Sequence, residues 1–279
     1  MHKDELGTRM KLFEQVEAGR KLMPLLPICV RIDGKCFSNF TRDLSRPFDE
    51  RFHKAMSYTT QKLVEETGAV IGYTQSDEIS LVIYSDDIDS QVFFNGKVQK
   101  IVSVISSMAT FFFQEGLALY IPEKAKKLAL FDCRVWNVPT KEEAVNSVLW
   151  REIDCLKNSV SMATRHYYST KQMHGKSGSE MQEMLFVKGV NFNDYPAWFK
   201  RGTYIRRVKR FVKFSAEELE KLPAKHEARA NPDLVIERSI VEVLEMPPIR
   251  KVMNRVDVVF SGAQPVIKEP PEVQIAIKE

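Results

Sequence analysis

Cysteine is scarce, and its four copies, at positions 29, 36, 133 and 155, show no C-x-x-C spacing. That argues against a disulfide framework and leaves reduced thiols in a reducing cytosol as the expectation. The Asn39-Phe40-Thr41 sequon then carries no meaning. Long apolar runs are also missing. The longest reach roughly ten residues, against the ~20 that a bilayer-spanning helix needs, so no membrane partner is expected. The opening residues, MHKDELGTRMKLFE, are too polar and too acidic for a targeting segment, which makes a cytoplasmic location the expectation. The histidines (His2, His53, His166, His174 and His226) have no ligand spacing with the cysteines, so a structural zinc is not expected, and His53 reads as helix surface. Charge of one sign is not in excess either. Net charge is +4, from 41 basic and 37 acidic residues, so a nucleic-acid partner would have to be argued from local clustering. No internal repeat is present.

What is present is an alternation of strand and helix signals. PICVRID, 27 to 33, is a short β-branched stretch ending in Asp-Gly, a strand and a tight turn. A helix is predicted from about Pro47 to Thr67, with Pro47 at its first position and Gly68 as its stop. AVIGYTQSDEISLVIY reads as a hairpin, two apolar arms about Gln75-Ser76-Asp77-Glu78. A second helix fits 96 to about 115, and LALFDCRVWNV, 128 to 138, reads as another strand. The order β-α-β-β-α-β is the ferredoxin-like, split βαβ arrangement, so an α+β fold is expected. Beyond Pro139, Thr140 and Glu143 have capping-box spacing and open a long helix that reaches the 160s. A second helix over 179 to 184, a strand at LFVKGVNF and a charged helix near 216 to 230 follow. The Pro-rich end QPVIKEPPEVQIAIKE reads as either an ordered arm or a loose tail.

The chemistry rests on where carboxylates fall. Asp33 ends the first strand, and Asp77 with Glu78 sits at the hairpin tip, so this order of elements can bring the acids to one sheet edge. Two converging carboxylates can hold a pair of Mg²⁺ ions, which suit phosphoryl or nucleotidyl transfer. Gly34 has no side chain to keep its carbonyl from a metal or phosphate. Asp-Gly is equally a plain turn, and Ser-Asp-Glu a plain hairpin tip. Lys97 and Lys100 lie one turn apart where the second helix begins, placed either to grip a triphosphate or to form a solvated basic face. KRGTYIRRVKRFVK, 200 to 213, has seven basic residues, no acid, and Tyr204 and Phe211. Such a segment suits RNA phosphates and unpaired bases, or is an amphipathic strand with a solvated face. His174-Gly175-Lys176-Ser177 imitates a P-loop, but Thr170 occupies the upstream glycine position.

RIDGKCFSNF (31 to 40), YTQSDEISLV (73 to 82), FNGKVQKIVSVISS (94 to 107) and FDCRVWNVP (131 to 139) resemble the successive motifs of the tRNA(His) guanylyltransferase family. WREIDCLKNS (150 to 159) and NFNDYPAWFKRGT (191 to 203) extend the likeness, which covers roughly residues 1 to 207 and keeps order and spacing. The resemblance implies a polymerase-palm-like catalytic domain that adds nucleotides in the reverse, 3′-to-5′ direction. The 5′ end of a tRNA is activated, by ATP when it is a monophosphate. The 3′-hydroxyl of an incoming nucleotide then attacks that phosphate, and pyrophosphate or AMP leaves. By position, Asp33, Gly34 and Asp77 resemble the ligands of two Mg²⁺ ions, with Glu78 in the same catalytic motif. Lys35, Cys36, Phe37, Ser38 and Ser76 resemble the pocket for ATP or GTP, and Lys97 and Lys100 the triphosphate contacts. Asn158, Lys200, Arg201, Thr203, Arg206 and Arg207 fall where tRNA contact is expected.

One departure is informative. Members specific for tRNA(His) carry His-Ile-Asn-Asn-Leu-Tyr-Asn where this chain has Leu156-Lys157-Asn158-Ser159-Val160-Ser161-Met162, so only Asn158 is kept. This, with LGTRMKLFE, resembles the "like-protein" branch, which implies templated repair of 5′-truncated tRNAs. Guanylylation of tRNA(His), a nucleotide cyclase or another palm protein, and an idle RNA-binding protein stand as alternatives. The family also implies a homotetramer. Three segments are expected: a palm-like domain over 1–139, a helical and basic tRNA-contacting region over 140–213, and an extension over 214–279 that matches no known motif.

Overall fold

A computed structural model describes residues 5–90, 92–231 and 233–267; the Pro-rich end beyond 267 lies outside the described residues. Helix α1 (Glu5–Ala18) is followed by β1 (Ile28–Gly34), the short α2 (Phe37–Phe40), α3 (Glu50–Thr67), and the hairpin β2 (Ile71–Gln75) and β3 (Glu78–Ile83). Next come α4 (Val98–Tyr120), β4 (Phe131–Asn137), α5 (Lys141–Arg165), α6 (Thr170–Met173), α7 (Gly178–Val187) and α8 (Ala197–Arg201). The chain then forms β5 (Thr203–Lys213), α9 (Ala216–Lys221), α10 (Glu227–Ala230), β6 (Val235–Leu244) and α11 (Arg255–Phe260).

The sheet has six strands in the order β4-β1-β3-β2-β5-β6, every neighbouring pair antiparallel. Its first four strands are the βαββαβ order read from the sequence: each crossover, β1-α3-β2 and β3-α4-β4, skips one strand that fills the gap. Strand alternation sends Ile28, Val30 and Ile32 to the face covered by α3 and α4, and Cys29, Arg31 and Asp33 to the opposite face. There α5 packs, burying Ala144, Val145, Val148 and Cys155 at helical spacing. α4 is long and apolar enough to cross a bilayer by length and composition. Its Ile101, Ile105, Ala109, Phe113 and Leu117 are instead fully buried against the sheet, the larger side chains each stabilising by roughly 1.5–3 kcal/mol. β5 and β6 extend the same sheet, so it runs through all three segments drawn from the sequence.

Several boundaries differ from expectation for local reasons. α3 starts at Glu50, because the Asp49 side chain accepts from the Arg51 N–H at 2.9 Å and caps it there. Gly68 ends it as predicted, at φ 69°. LFVKGVNF is not a strand. A full capping box of Ser177 and Glu180 starts α7, which runs through Leu185 to Val187, buries Leu185, and gives way to Gly189 at φ 74°. A short apolar run does not by itself separate the two states. The charged helix near 216 to 230 is two helices, since Leu222 before Pro223 is extended, at ψ 149°.

Candidate active site

At one end of the sheet the acids meet. Asp33 is the cross-strand partner of Glu78 on β3, and the Gly34 N–H donates to the Asp77 carbonyl at 3.1 Å. Ser76, at φ 49°, makes the sharp turn of the hairpin and donates its hydroxyl to Asp77 Oδ1 at 3.0 Å. Burial pushes the Asp77 carboxyl above its ordinary value; the Ser76 hydroxyl and the backbone oppose this, and the charge of Asp33 adds to it. Among the described residues no basic side chain forms an ion pair with Asp33 or Asp77. Nor do three or more acid, Cys or His side chains enclose a metal position. Two unpaired carboxylates, one of them desolvated, make an open cation seat of the kind that Mg²⁺ occupies while keeping waters and substrate phosphates. The residues fit that ion.

Glu78 does something else. Its carboxylate takes Arg151 Nε at 2.5 Å and Nη2 at 2.7 Å, both side chains are nearly inaccessible, and Arg151 also reaches Asp154 at 2.9 Å. Burial raises the Glu78 carboxyl against the pull of Arg151. The expected catalytic role for Glu78 is therefore replaced by a structural ion pair that anchors α5 to the hairpin. Asn158 joins the chain, donating Nδ2 to Asp154 at 3.1 Å, and so lies at one remove from the sheet end.

Four side chains that sequence reasoning missed sit on the α5 face beside Asp33. Asp132 on β4 opposes Asp33, and Arg134 opposes Arg31. Like charges directly opposite one another destabilise a sheet; here Arg134 offsets part of that cost by pairing with Asp132 at 3.2 Å, both half-exposed. The Arg31 guanidinium lies 5.6 Å from the centre of the half-exposed Trp150 ring, and its Nε is buried without a partner among the described residues. R-x-D in one strand and D-x-R in another, mirrored by antiparallel pairing, was the available signal.

The nucleotide segment divides. Lys35, Cys36 and Ser38 are exposed beside Asp33, with Cys36 at φ 59°. Phe37 turns its ring into the core against Phe113 and Phe131 and offers no surface to a ligand. That ring explains Gly34: an added Cβ would lie 2.4 Å from Phe37 Cδ2. Lys97 and Lys100 do not join the carboxylates within one chain. α4 begins beside Lys21 and Leu22, at the Ile28 end of β1, about 17 Å along the strand from Asp33.

The basic segment 200 to 213 is largely spoken for. Arg206 is 2% exposed and binds Glu242 and the Gly262 and Ala263 carbonyls. Arg207 caps α3, donating to the Val64 and Glu65 carbonyls at 2.6 and 2.9 Å. Neither is available to RNA. The expectation failed because β6, which supplies the acids, cannot be foreseen from the basic strand alone. Lys200, Arg201 and Thr203 stay partly exposed at the site end of β5. His53, expected on the helix surface, is stacked on Trp198 with ring centres 4.1 Å apart, and burial pushes its pKa down to about 4 while Glu50 raises it and Lys54 lowers it. Unfolding then takes up a proton below the ordinary value of 6.5, so stability falls as pH drops from there toward 4. Thermal melts over that range should show Tm falling more in the wild type than in His53→Gln; equal falls would assign the effect to other groups.

Aspartates brought together at one end of an antiparallel βαββαβ sheet are the arrangement of the palm-like class of folds. The profile of the tRNAHis guanylyltransferase (Thg1) family matches residues 7–139. A bacterial tRNA(His) guanylyltransferase (Thg1)-like protein, solved in complex with ATP, is 34% identical with a TM-score of 0.73, over 92% of this chain and 99% of that one. The crystal structure of the Saccharomyces cerevisiae tRNA(His) guanylyltransferase matches at 27% identity and a TM-score of 0.61, over 70% of this chain and 92% of that one. A protein of Acanthamoeba polyphaga mimivirus is 31% identical, over 73% of this chain and 77% of its own. The chain belongs to the tRNA(His) guanylyltransferase family and is a nucleotidyltransferase. Coverage of 92% of the chain also carries the likeness well past residue 214, where no motif was recognised.

Proposed function

We propose that this protein adds nucleotides to the 5′ end of a truncated tRNA, in the 3′-to-5′ direction and copied from the opposing strand. The observation that carries the reading is the backbone bond between Gly34 and Asp77, which sets Asp33 and Asp77 side by side. Those carboxylates and the Gly34 carbonyl would hold Mg²⁺. When bound, Mg²⁺ supplies charge neutralisation at the attacking and leaving oxygens. Arg31 and Arg134 stand opposite each other on the same sheet face and would take the phosphates of ATP or GTP, which Lys35, Cys36, Ser38 and Ser76 border, with Arg134 exchanging its pairing to Asp132 for the phosphate. In the reaction, the 3′-hydroxyl of the incoming nucleotide attacks the activated 5′ phosphorus of the RNA, and pyrophosphate or AMP leaves. Asn158, Lys200, Arg201 and Thr203 are the RNA contacts of this reading. The loss of all but Asn158 from the tRNA(His)-specific motif favours templated repair over addition of a single G.

Two further expectations belong to the same reading, a cytoplasmic location and a homotetramer. The second is supported by α1, which buries nothing and exposes Leu6, Met10, Phe13 and Val16.

Changing the base opposite the first missing position tests the copying. The nucleotide added should change to its complement each time; addition of G whatever the opposing base would overturn repair. The metal seat is tested without turnover. Millimolar Mg²⁺ should raise the Tm of the wild type and leave that of Asp77→Asn unmoved; an equal rise in both would place the ion elsewhere.

A further inference from the structure

A cleft of about 790 Å³ opens at the same end of the sheet, between α3, the Trp198–Thr203 segment and the residues after β6. Neither aspartate lines it. Its wall is a ready-made aromatic platform: His53 and Trp198 stack with rings 5° from parallel, and Phe48 braces Trp198 edge-on at 5.0 Å. Because burial keeps its pKa near about 4, the His53 ring is uncharged at neutral pH. Its Nε2 lies 3.4 Å from the hydroxyls of both Ser57 and Thr203. Arg201 lines the cleft with a buried Nε that has no partner among the described residues.

Flat neutral rings with hydrogen-bonding edges suit a nucleobase, and the guanidinium suits its phosphate. Charge narrows the choice. Glu50 and Glu245 line the cleft together with Lys54 and Arg201, and Lys54 is already paired with Glu50 at 3.0 Å. Two acids against two bases suit a nucleotide bearing one phosphate charge and disfavour a free triphosphate. Position narrows it again. Thr203 pairs with Thr74, three residues before Asp77, so the α3 side of the cleft lies one strand spacing across and ~10 Å along the sheet from the hairpin tip. A paired base is not free to stack there.

We propose that the cleft holds an unpaired nucleotide of the strand opposite the RNA 5′ end, seated on His53 and Trp198 with its phosphate toward Arg201. This rests on the proposed function for the RNA and its 5′ end, and deepens it by giving the opposing strand a place. The cleft holds the single strand while the shorter strand is extended.

The test is RNA binding by fluorescence anisotropy, without nucleotide or divalent ion, using two stem-loops. One has an unpaired 3′ strand beyond its 5′ end, and the other is trimmed flush. The wild type should bind the overhanging RNA about tenfold tighter, the size expected of one stacked base. His53→Ala should lose that advantage and bind flush RNA as the wild type does, and His53→Phe, which keeps a stacking ring, should restore most of it. No overhang effect in the wild type, or equal weakening toward both RNAs by His53→Ala, would overturn the proposal. So would CMP or AMP perturbing Trp198 fluorescence at low millimolar concentration while the overhang has no effect, because that assigns the cleft to a free nucleotide. Overhang-dependent binding by a protein that adds no nucleotide would keep the cleft and remove the proposed reaction; nucleotide addition indifferent to the overhang would do the reverse.

Discussion

Asp77→Asn is expected to cut nucleotide addition by on the order of 10³-fold while changing RNA affinity less than twofold. The charge it removes is one of the two proposed to hold Mg²⁺ at the reacting phosphate, and stabilisation of that kind is worth several kcal/mol in a transition state. Each 1.4 kcal/mol is roughly tenfold in rate. The fold should tolerate the change well, since the burial and like-charge cost that raises the Asp77 carboxyl is relieved in the amide. The checks are single-turnover addition to a 5′-triphosphorylated truncated tRNA and anisotropy with the same RNA. Asp33→Asn should behave alike, and the double variant should be little worse than either single one, because the two carboxylates act as a unit. Parallel loss of addition and binding would make the hairpin tip a structural turn.

Arg151→Met should have the largest effect on stability. Arg151 holds Glu78 through two hydrogen bonds in a buried setting and ties in Asp154. Removing one member of a buried pair strands the other charge, at a cost of about 3–5 kcal/mol, which for a chain of this size lowers Tm by roughly 10 °C. Glu78→Gln combined with Arg151→Met leaves no stranded charge and should recover much of that loss. A single variant as stable as the wild type would mean that the ion pair does not anchor α5. A catalytic Glu78 predicts a different pattern, with activity lost at unchanged Tm.

The sequence and the structure agree where local signals and topology reinforce one another. β1, the hairpin and β4 carry alternating or β-branched runs between turn residues, α3 and α4 carry apolar stripes, and the crossover order then dictates that Asp33 and Asp77 meet. Gly34 was legible as special, though the packing reason, the Phe37 ring beneath it, was not. The misreadings at the site are all long-range. Lys97 and Lys100 sit near the right motifs in sequence, but a helix that returns antiparallel to β3 begins at the far end of the sheet. The basic strand β5 looked like an RNA face because its acidic partner, Glu242, lies far along the chain. Glu78 looked catalytic because Arg151 arrives from α5, which no spacing within the hairpin foretells. His53 looked like surface until the Trp198 segment covered it.

The central claim, that Asp33 and Asp77 serve growth of an RNA at its 5′ end, is tested most directly with a truncated tRNA whose 3′ terminus has been oxidised with periodate. The RNA is incubated with Mg²⁺ and α-³²P-labelled nucleotides. Label should enter the blocked RNA as efficiently as the unblocked one and should lie at its 5′ end, with Asp77→Asn inactive on both. Label that enters only RNA with a free 3′-hydroxyl, or addition that survives in Asp77→Asn, would contradict the account.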